Sequence, residues 1–220
     1  MTRLLLPVLL TLAVVPSVSV AQSRPPAAEV ARTLQEKYDR VKDFSADFTH
    51  TYEGGVLQRK STERGTVQIK KPGRMRWEYT APEKKTFVSD GTKIYSYVPA
   101  DKQVIVSDVP AADEATTAVL FLAGKGNLLR DFKVSYADTT GPGTVALRLD
   151  PKQKQRDYDW LIVIVDQKTM QIRGLTASDQ QGGRSSFTFT NYRENTGAAD
   201  NVFAFKIPRG ADVIHAGTSR

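Results

Sequence analysis

The sequence predicts a mainly β protein in which about eleven antiparallel strands form a strongly curved sheet or open barrel, with two helices on its concave side. Three observations predict this fold. Apolar and polar residues alternate along most of the chain, which is the period of half-buried strands. Turn-forming residues separate the alternating segments, and only two stretches carry apolar residues at helical spacing. Strands with one apolar face in this number are typical of a sheet that curls around that face.

The clearest strands lie in residues 63–98. Every second position of the first two strands is apolar, namely Val67, Ile69, Met75, Trp77 and Tyr79, and a Lys-Pro-Gly break separates the two strands. Asp90-Gly91 then predicts a hairpin with a type I′ turn, because Asp and Gly tolerate the positive φ values that this turn requires. The stretch therefore predicts three or four antiparallel strands, each with one apolar face.

Alternation predicts further strands at 44–52, at 102–107 and over much of 131–190, with a hairpin turn at Gly182. Residues 160–165 are apolar without interruption, which predicts a central strand or one that is covered on both faces. The apolar side of the first of these strands contains Phe44, Ala46, Phe48, His50 and Tyr52.

Two stretches predict helices. Residues 29–41 place an apolar stripe at spacings of three and four, formed by Val30, Leu34, Tyr38 and Val41. The second helix covers 109–123, with Asp113 and Glu114 near its start and Gly124 where a left-handed C-terminal cap is expected. Its consecutive apolar residues, Leu120, Phe121 and Leu122, must lie against either a core or a cavity, and the residues alone leave both open.

Residues 1–21 have the form of a secretory signal peptide. Arg3 precedes an apolar core at 4–15 that is too short to span a bilayer, and small residues stand at the expected cleavage site after Ala21. Cleavage would leave one exported domain, 22–220. The chain has no Cys, so neither a disulfide nor a lipid on an N-terminal Cys is available. We expect stability to come from apolar burial.

Composition and motifs exclude several functions. The net charge of +7 is scattered along the chain, so we expect an anionic membrane surface or an acidic partner rather than nucleic acid. Enzymatic activity, a metal site and a cofactor are not expected, since the chain lacks G-x-S-x-G and H-E-x-x-H and its two histidines, His50 and His215, stand in different contexts. What remains is a large apolar face, which either is filled by side chains or holds a lipid.

Six segments in order carry a resemblance to a known family: FSADF, KKPGRMRWEY, VSDG, VLFLAG, RSSFTFTNY and FKIPRGADVI. They resemble the periplasmic outer-membrane lipoprotein carriers, the LolA family, over nearly the whole chain after the leader. The resemblance implies an unclosed antiparallel β-barrel with an α-helical lid over an apolar cavity. It also implies a monomeric periplasmic carrier that takes acylated lipoproteins from an inner-membrane ABC transporter to an outer-membrane receptor.

The resemblance implies site residues as well. The family has Arg before the Pro of the second segment, where its guanidinium binds lid backbone groups and holds the empty cavity closed. This sequence has Lys71 there, so we expect Lys71 to be a weaker lid latch, the other interpretation being a solvated strand-end charge. The expected residues of the acyl-binding cavity or lid are Phe44, Phe48, Val67, Ile69, Met75, Trp77, Val119, Leu120, Phe121 and Leu122, and for each an ordinary core role stays open.

Two other functions stay open at this point. A carrier of another amphiphile, such as a glycolipid or a fatty acid, would have the same apolar face. A non-enzymatic sensor or interaction domain of the same fold is the second alternative.

Overall fold

The computed structural model describes residues 24–54, 59–109, 122, 124, 126–138, 141–155 and 158–216. Its helices are α1 (Ala27–Arg40) and the single turn α2 (Leu128–Asp131), with a 3-10 turn at Asp200–Phe203. Its strands are β1 (Asp43–Glu53), β2 (Lys60–Lys70), β3 (Arg74–Ala81), β4 (Lys85–Asp90), β5 (Lys93–Val98), β6 (Gln103–Asp108), β7 (Phe132–Ala137), β8 (Thr144–Pro151), β9 (Trp160–Asp166), β10 (Ile172–Ser178), β11 (Arg184–Glu194) and β12 (Asp212–His215).

All twelve strands belong to one sheet, in the order β12-β6-β5-β4-β3-β2-β1-β11-β10-β9-β8-β7. Neighbouring strands run antiparallel, except that β12 runs parallel to β6. The pairing of β1 with β11 joins the two halves of the chain. β7 and β12 are the edges, and within the described residues no pairing joins them, so the sheet is unclosed. The predicted fold class is confirmed. The strand beyond the predicted eleven is β12, whose four residues are all exposed and therefore show no one-sided pattern.

Helix α1 covers part of the apolar face of the sheet. Its predicted stripe is buried in full, since Val30, Leu34, Tyr38 and Val41 are all below 8% exposed. Pro26 precedes the first helical residue, and Glu29 lies in the first turn, where a carboxylate favours the helix N-terminus. The Tyr136 hydroxyl of β7 donates a 2.6 Å hydrogen bond to the carbonyl of Pro25. The N-terminal end of the helix therefore lies on β7, which is one edge strand of the sheet.

The predicted alternation is confirmed in most strands. In β3 the inward set Met75, Trp77 and Tyr79 is buried, and its neighbours Arg76 and Glu78 form an ion pair on the other face. Tyr52 departs from the pattern because it is 39% exposed near the end of β1. β9 is central, between β8 and β10. However, only alternate residues of β9 are fully buried, so this strand is covered on one face more than on the other.

The hairpin between β4 and β5 exists, but its predicted type I′ turn is wrong. The strand register leaves Gly91 and Thr92 as the loop, one residue later than predicted. Only Gly91 has positive φ there, at 102°, and a glycine at the first central position is typical of a type II′ turn. Asp90 instead closes the turn with its side chain, accepting 2.8 Å hydrogen bonds from the backbone N–H groups of Thr92 and Lys93. An Asp-Gly pair is compatible with a type I′ or a type II′ turn. The hydrogen bonds from Thr92 and Lys93 to the Asp90 side chain favour the turn seen here.

Two predicted segments fall largely outside the described residues. The leader at 1–21 lies outside them entirely. Of the helix predicted at 109–123, the structure describes position 109 and Leu122, which is helical and fully buried. Gly124 has φ of 81°, as expected for the residue after a helix. None of the helices in the described ranges combines the length and apolar character needed to cross a membrane.

Candidate ligand-binding site

An apolar cavity of about 240 Å³ lies on the inner face of the sheet, where β3, β4 and β5 meet β11. Alternation places three consecutive inward residues of β3 in its wall, and β11 contributes a phenylalanine. The lining residues are Met75, Trp77, Tyr79, Phe87, Val88, Ser89, Ile94 and Phe187. The wall is therefore almost entirely apolar, with Ser89 satisfied by a 2.8 Å hydrogen bond from its Oγ to the carbonyl of Gly73.

Gly65 of β2 is the reason that aromatic rings from distant strands meet here. It lies between Phe48 of β1 and Tyr79 of β3 in the strand register. A Cβ at this glycine would lie 2.8 Å from Cζ of Phe48, so its absence lets that ring extend across β2. The Phe48 ring centroid is 4.8 Å from that of Tyr79, 5.1 Å from that of Trp77 and 5.9 Å from that of Phe187, all edge to face. The lack of a side chain at Gly65 therefore allows the aromatic cluster to form beside the cavity.

A polar cluster borders the same aromatic residues. His50 stacks on Phe187 with ring centroids 4.2 Å apart, and its Nε2 lies 2.8 Å from the Ser185 hydroxyl. Its Nδ1 lies 3.2 Å from Glu63, and that carboxylate also accepts a hydrogen bond from Lys85. Burial lowers the pKa of His50 below its usual range and outweighs the opposing hydrogen bond with Glu63. The sequence puts this histidine on the apolar side of β1, and the structure places it half-buried beside the cavity wall.

The second notable arrangement joins Lys71 to two helical segments. Nζ of Lys71 donates a hydrogen bond to the carbonyl of Tyr38, near the C-terminal end of α1, and lies 4.2 Å from the Tyr38 ring centroid. The hydroxyl of Tyr38 donates to the carbonyl of Leu122. The stem of Lys71 packs so closely on Gly124 that a Cβ there would lie 2.4 Å from Cδ of the lysine. Burial lowers the pKa of Lys71, opposed by the carboxylate of Asp39.

The residues around Lys71 also border an open depression of about 450 Å³, lined by Asp39, Val41, Lys42, Lys70, Lys71, Pro72 and Gly124. Its wall contains several charged side chains, in contrast to the cavity at β3–β5. Arg74 and Arg76, the next cations along the chain after Lys71, lie on the face of β3 opposite Met75 and Trp77. They contact the 3-10 turn, where Arg74 pairs with Asp200 at 2.7 Å and Arg76 bonds the carbonyl of Val202 at 3.3 Å. The structure therefore brings Lys71 alone of these cations to the helical segments.

The predicted acyl-binding residues divide into three groups. Met75 and Trp77 line the apolar cavity. Five others lie in the filled core at 2% exposure or less, namely Phe44, Phe48, Val67, Ile69 and Leu122. Val119, Leu120 and Phe121 lie outside the described residues.

Sequence reasoning missed six residues of the cavity wall. Tyr79 continues the alternation of Met75 and Trp77, and Phe187 alternates with its polar neighbours Ser186 and Thr188, so both could have been found. The four from β4 and β5 could not, because their burial pattern alternates poorly. Within the described ranges, no group of three or more His, Asp and Glu residues is placed to hold a metal ion.

Fold and cavity together define a class of protein: an open, mostly antiparallel sheet, crossed by a helix, whose inner face has an aromatic-walled cavity suited to an apolar ligand. The chain belongs to the family described as outer membrane lipoprotein carrier protein LolA, whose sequence profile matches residues 39–206.

Individual relatives agree with this assignment. The chain is 31% identical over 210 residues to the outer-membrane lipoprotein carrier protein of Hahella chejuensis, covering 94% of this chain and 97% of that protein. It is 30% identical over 197 residues to the carrier of the same name from Chromohalobacter salexigens, covering 90% of each. The crystal structure of an uncharacterized conserved protein from Thermus thermophilus superposes with a TM-score of 0.54 at 11% identity. It covers 86% of this chain and 99% of that one, and supports the fold alone.

Proposed function

We propose that this protein is a periplasmic carrier that binds the acyl chains of lipoproteins released from the inner membrane and delivers them to the outer membrane. The observation that carries the proposal is the apolar, aromatic-walled cavity on the inner face of the sheet, in a chain of the lipoprotein carrier family. In this proposal the leader at 1–21 exports a single domain, 22–220, which acts without enzymatic chemistry.

The physical need for a carrier follows from the cost of exposing acyl chains. Moving one CH₂ group from lipid to water costs about 0.8 kcal/mol, so a chain of roughly sixteen carbons costs about 13 kcal/mol. An apolar cavity removes most of this cost during transit. Met75 in the wall is unbranched and flexible, which suits chains of variable length and conformation. The grip must still be reversible, because the cargo has to leave at its destination.

The cavity is small for this task in the described conformation. Its volume of about 240 Å³ is below the range of about 300–1,000 Å³ that is usual for ligand pockets. A whole lipoprotein anchor therefore requires the inner face to open further. We infer that loading separates α1 and the segment containing Leu122 from the sheet.

The contacts of Lys71 and Tyr38 are placed to oppose this opening. Lys71 attaches the turn between β2 and β3 to α1, and the Tyr38 hydroxyl attaches α1 to Leu122. A guanidinium could make several such bonds by itself, whereas an ammonium is a compact donor. We propose that Lys71 and Tyr38 divide between them the latch role that the family resemblance assigns to one Arg.

The expected partners are an inner-membrane ABC transporter that loads the carrier and an outer-membrane receptor that unloads it. The net charge of +7 suits acidic partner surfaces or anionic membranes. The protein is expected to act as a monomer, without a cofactor.

A release assay tests the proposal. Purified 22–220 protein is incubated with spheroplasts, and newly made lipoproteins bound to it are measured in the soluble fraction. Soluble complexes support the carrier function. If none form, and solvent extraction of the protein yields a glycolipid or fatty acid, the cargo assignment is wrong. A protein that neither releases lipoproteins nor contains any lipid would leave the interaction-domain alternative.

The latch is tested in the same assay with Lys71→Leu and Tyr38→Phe. Both variants are expected to accept cargo but to transfer it more slowly, because the closed empty state that drives unloading is destabilised. Lys70→Leu is the matched control, since it removes the same charge from a side chain that contacts Asp200 and the carbonyl of Ala198 instead. Transfer kinetics that match the control in both variants would contradict the latch role.

A further inference from the structure

Trp77 lines the cavity, and its indole nitrogen is a buried polar atom without a hydrogen-bond partner among the described residues. The side chain is 3% exposed, and its Nε1 is buried with no acceptor among the described residues. The other polar side chain fully buried in this wall, Ser89, is bonded to Gly73. In native proteins a buried N–H without a partner costs about 1–3 kcal/mol and is uncommon, so this N–H is a candidate donor to a ligand that enters as the inner face opens.

The surroundings of Trp77 restrict what could satisfy this N–H. Its ring is packed by three aromatic rings, with centroid distances of 5.1 Å to Phe48, 5.2 Å to Phe187 and 6.4 Å to Phe189. The remaining cavity wall is also apolar. A ligand that fills this space must therefore be mostly hydrocarbon, and a single acceptor on it could bond to this one donor. An acyl chain with its carbonyl group has this composition.

We propose that the indole N–H of Trp77 donates a hydrogen bond to the carbonyl oxygen of a bound acyl ester, so that the cavity selects acyl chains over plain hydrocarbon chains. This inference rests on the proposed carrier function and deepens it. An alkyl chain gains affinity from apolar burial alone, and the carbonyl adds one directional bond in a region from which water is excluded. The bond also fixes how deep the chain enters, because the carbonyl must stop at Trp77.

The experiment compares two ligands that differ only in the carbonyl groups: dioctanoylglycerol and its dialkyl ether counterpart, dioctylglycerol. Affinity is read from tryptophan fluorescence in the Trp160→Phe background, because the chain has two tryptophans and this change leaves Trp77 as the sole reporter. Trp160 is partly exposed in β9 and is contacted by Arg148 and Arg184, whose guanidinium carbons are 4.8 and 5.7 Å from its ring centroid. The Trp160→Phe protein should therefore bind both ligands as the unchanged protein does.

The indole N–H resonance of Trp77 gives the first result without changing the residue. The ester should move this proton signal downfield and slow its exchange with solvent, whereas the ether should not. The second result comes from Trp77→Phe, which retains an aromatic ring and removes the donor. Its affinity for the ester, measured by competition with a fluorescent fatty acid, should fall about fivefold to tenfold, which is the range expected for one hydrogen bond. Its affinity for the ether should change by less than about twofold.

Three results would overturn the proposal. Ester and ether could shift the indole signal equally, as expected if the N–H points at the face of a neighbouring Phe ring. Trp77→Phe could weaken both ligands equally, which would indicate a shape role alone. It could also weaken neither. If Trp77→Phe fails to fold, the resonance comparison in the unchanged residue decides the matter. Lipoprotein release without ester selectivity would remove this inference alone, and ester selectivity without release would remove the carrier function alone.

Discussion

The inner face of the sheet has two regions that the sequence describes in the same way and the structure fills differently. In the core on which α1 packs the face is closed, since Leu34 of the helix and Ile69 and Leu147 of the sheet are each at 0% exposure. Around β3, β4 and β5 the same inward alternation leaves a cavity of about 240 Å³. The first region contains many branched aliphatic side chains from α1, β8 and β9, which pack closely in a protein core. The second is built mainly from aromatic rings in edge-to-face contact, which leave space between them.

This difference teaches that alternation assigns a residue to a face but says nothing about whether that face is filled. Phe44 and Trp77 were predicted as equivalent cavity residues, yet one is in the closed region and the other lines the cavity. Substitutions in the closed region should therefore affect stability, whereas substitutions in the cavity wall should affect ligand binding.

The largest effect is expected from Phe44→Ala in the closed region. Phe44 is 1% exposed and stacks on Tyr192 with ring centroids 4.8 Å apart. Its truncation should lower the free energy of unfolding by about 3–5 kcal/mol, because it removes a buried ring and leaves a void. Urea denaturation measures this loss. Phe87→Ala, in the cavity wall and only partly buried, should lower stability far less while weakening acyl binding. Equal stability losses in the two variants would contradict the division of the face.

Gly65→Ala should affect both regions, because Gly65 lies at their border. A Cβ there would lie 2.0 Å from the carbonyl oxygen of Glu78, which is backbone and cannot rotate away. Separating β2 from β3 should lower the free energy of unfolding by about 1–3 kcal/mol, as for other overpacked sites. The Phe48 ring must also move, so acyl binding should fall as well.

Gly141→Ala is the control for Gly65→Ala. Its added Cβ would meet nothing nearer than 3.9 Å, and its φ is not in the left-handed region, so urea denaturation should show almost no change. A stable Gly65→Ala protein with normal binding would show that the aromatic cluster does not depend on this glycine.

Gly124→Ala should act on the latch with a smaller loss of stability. The left-handed φ of 81° costs an alanine about 1–2 kcal/mol. The new Cβ would also displace the stem of Lys71, which should weaken the latch and slow cargo transfer, as expected for Lys71→Leu in the same assay. Gly143→Ala separates the two effects, because Gly143 has a similar φ of 71° and nothing within 4 Å of the added atom. Equal transfer rates in the two variants would indicate that the contact between Gly124 and Lys71 has no part in closure.

The fold was largely predictable because its strands follow a single rule, one apolar face each. That rule located β1, β2 and β3 together with their inward residues, and helical spacing located α1. The rule missed β12, because no side chain of this strand is buried. Its pairing with β6 depends on backbone hydrogen bonds, which do not impose an alternation of apolar and polar residues. The site was less predictable, because a cavity depends on how rings from β3 and β11 meet across two intervening strands. Only Gly65 hints at that contact, and a glycine within a strand is equally typical of a bulge or a tight bend.

The latch shows the same limit at the level of single atoms. The resemblance pointed to Lys71, but nothing in the spacing of the helix at 29–41 indicated that the hydroxyl of Tyr38 would contact Leu122. From the sequence alone, Tyr38 is predicted to be one of the apolar residues on the buried side of the helix at 29–41. Its ring fills that role, being 3% exposed, while its polar end makes a contact that depends on a segment 84 residues away. Polar contacts between residues so far apart in the sequence can be identified only when the fold is known.

The smallest expected effect concerns pH and the polar cluster beside the cavity. Burial lowers the pKa of His50 in the folded protein, while an unfolded chain binds the proton with a pKa of about 6.5. Between these two values the unfolded state holds more protons, so the free energy of unfolding decreases as the pH falls through and below about 6.5. Above that pH both states are neutral at this residue and its contribution is constant. The slope should correspond to less than one proton.

Urea denaturation of the wild type and of His50→Gln, followed across the same pH range, measures this contribution. The slope should be reduced in His50→Gln and kept in His215→Gln, since His215 is exposed in β12 and these are the two histidines of the chain. Because His50 stacks on Phe187 of the cavity wall, its protonation in the folded protein should also weaken acyl binding, but only once the pH falls below its lowered folded-state pKa. A pH slope that persists in His50→Gln would assign it to the carboxylates instead. It would also separate the polar cluster from the cavity that it borders.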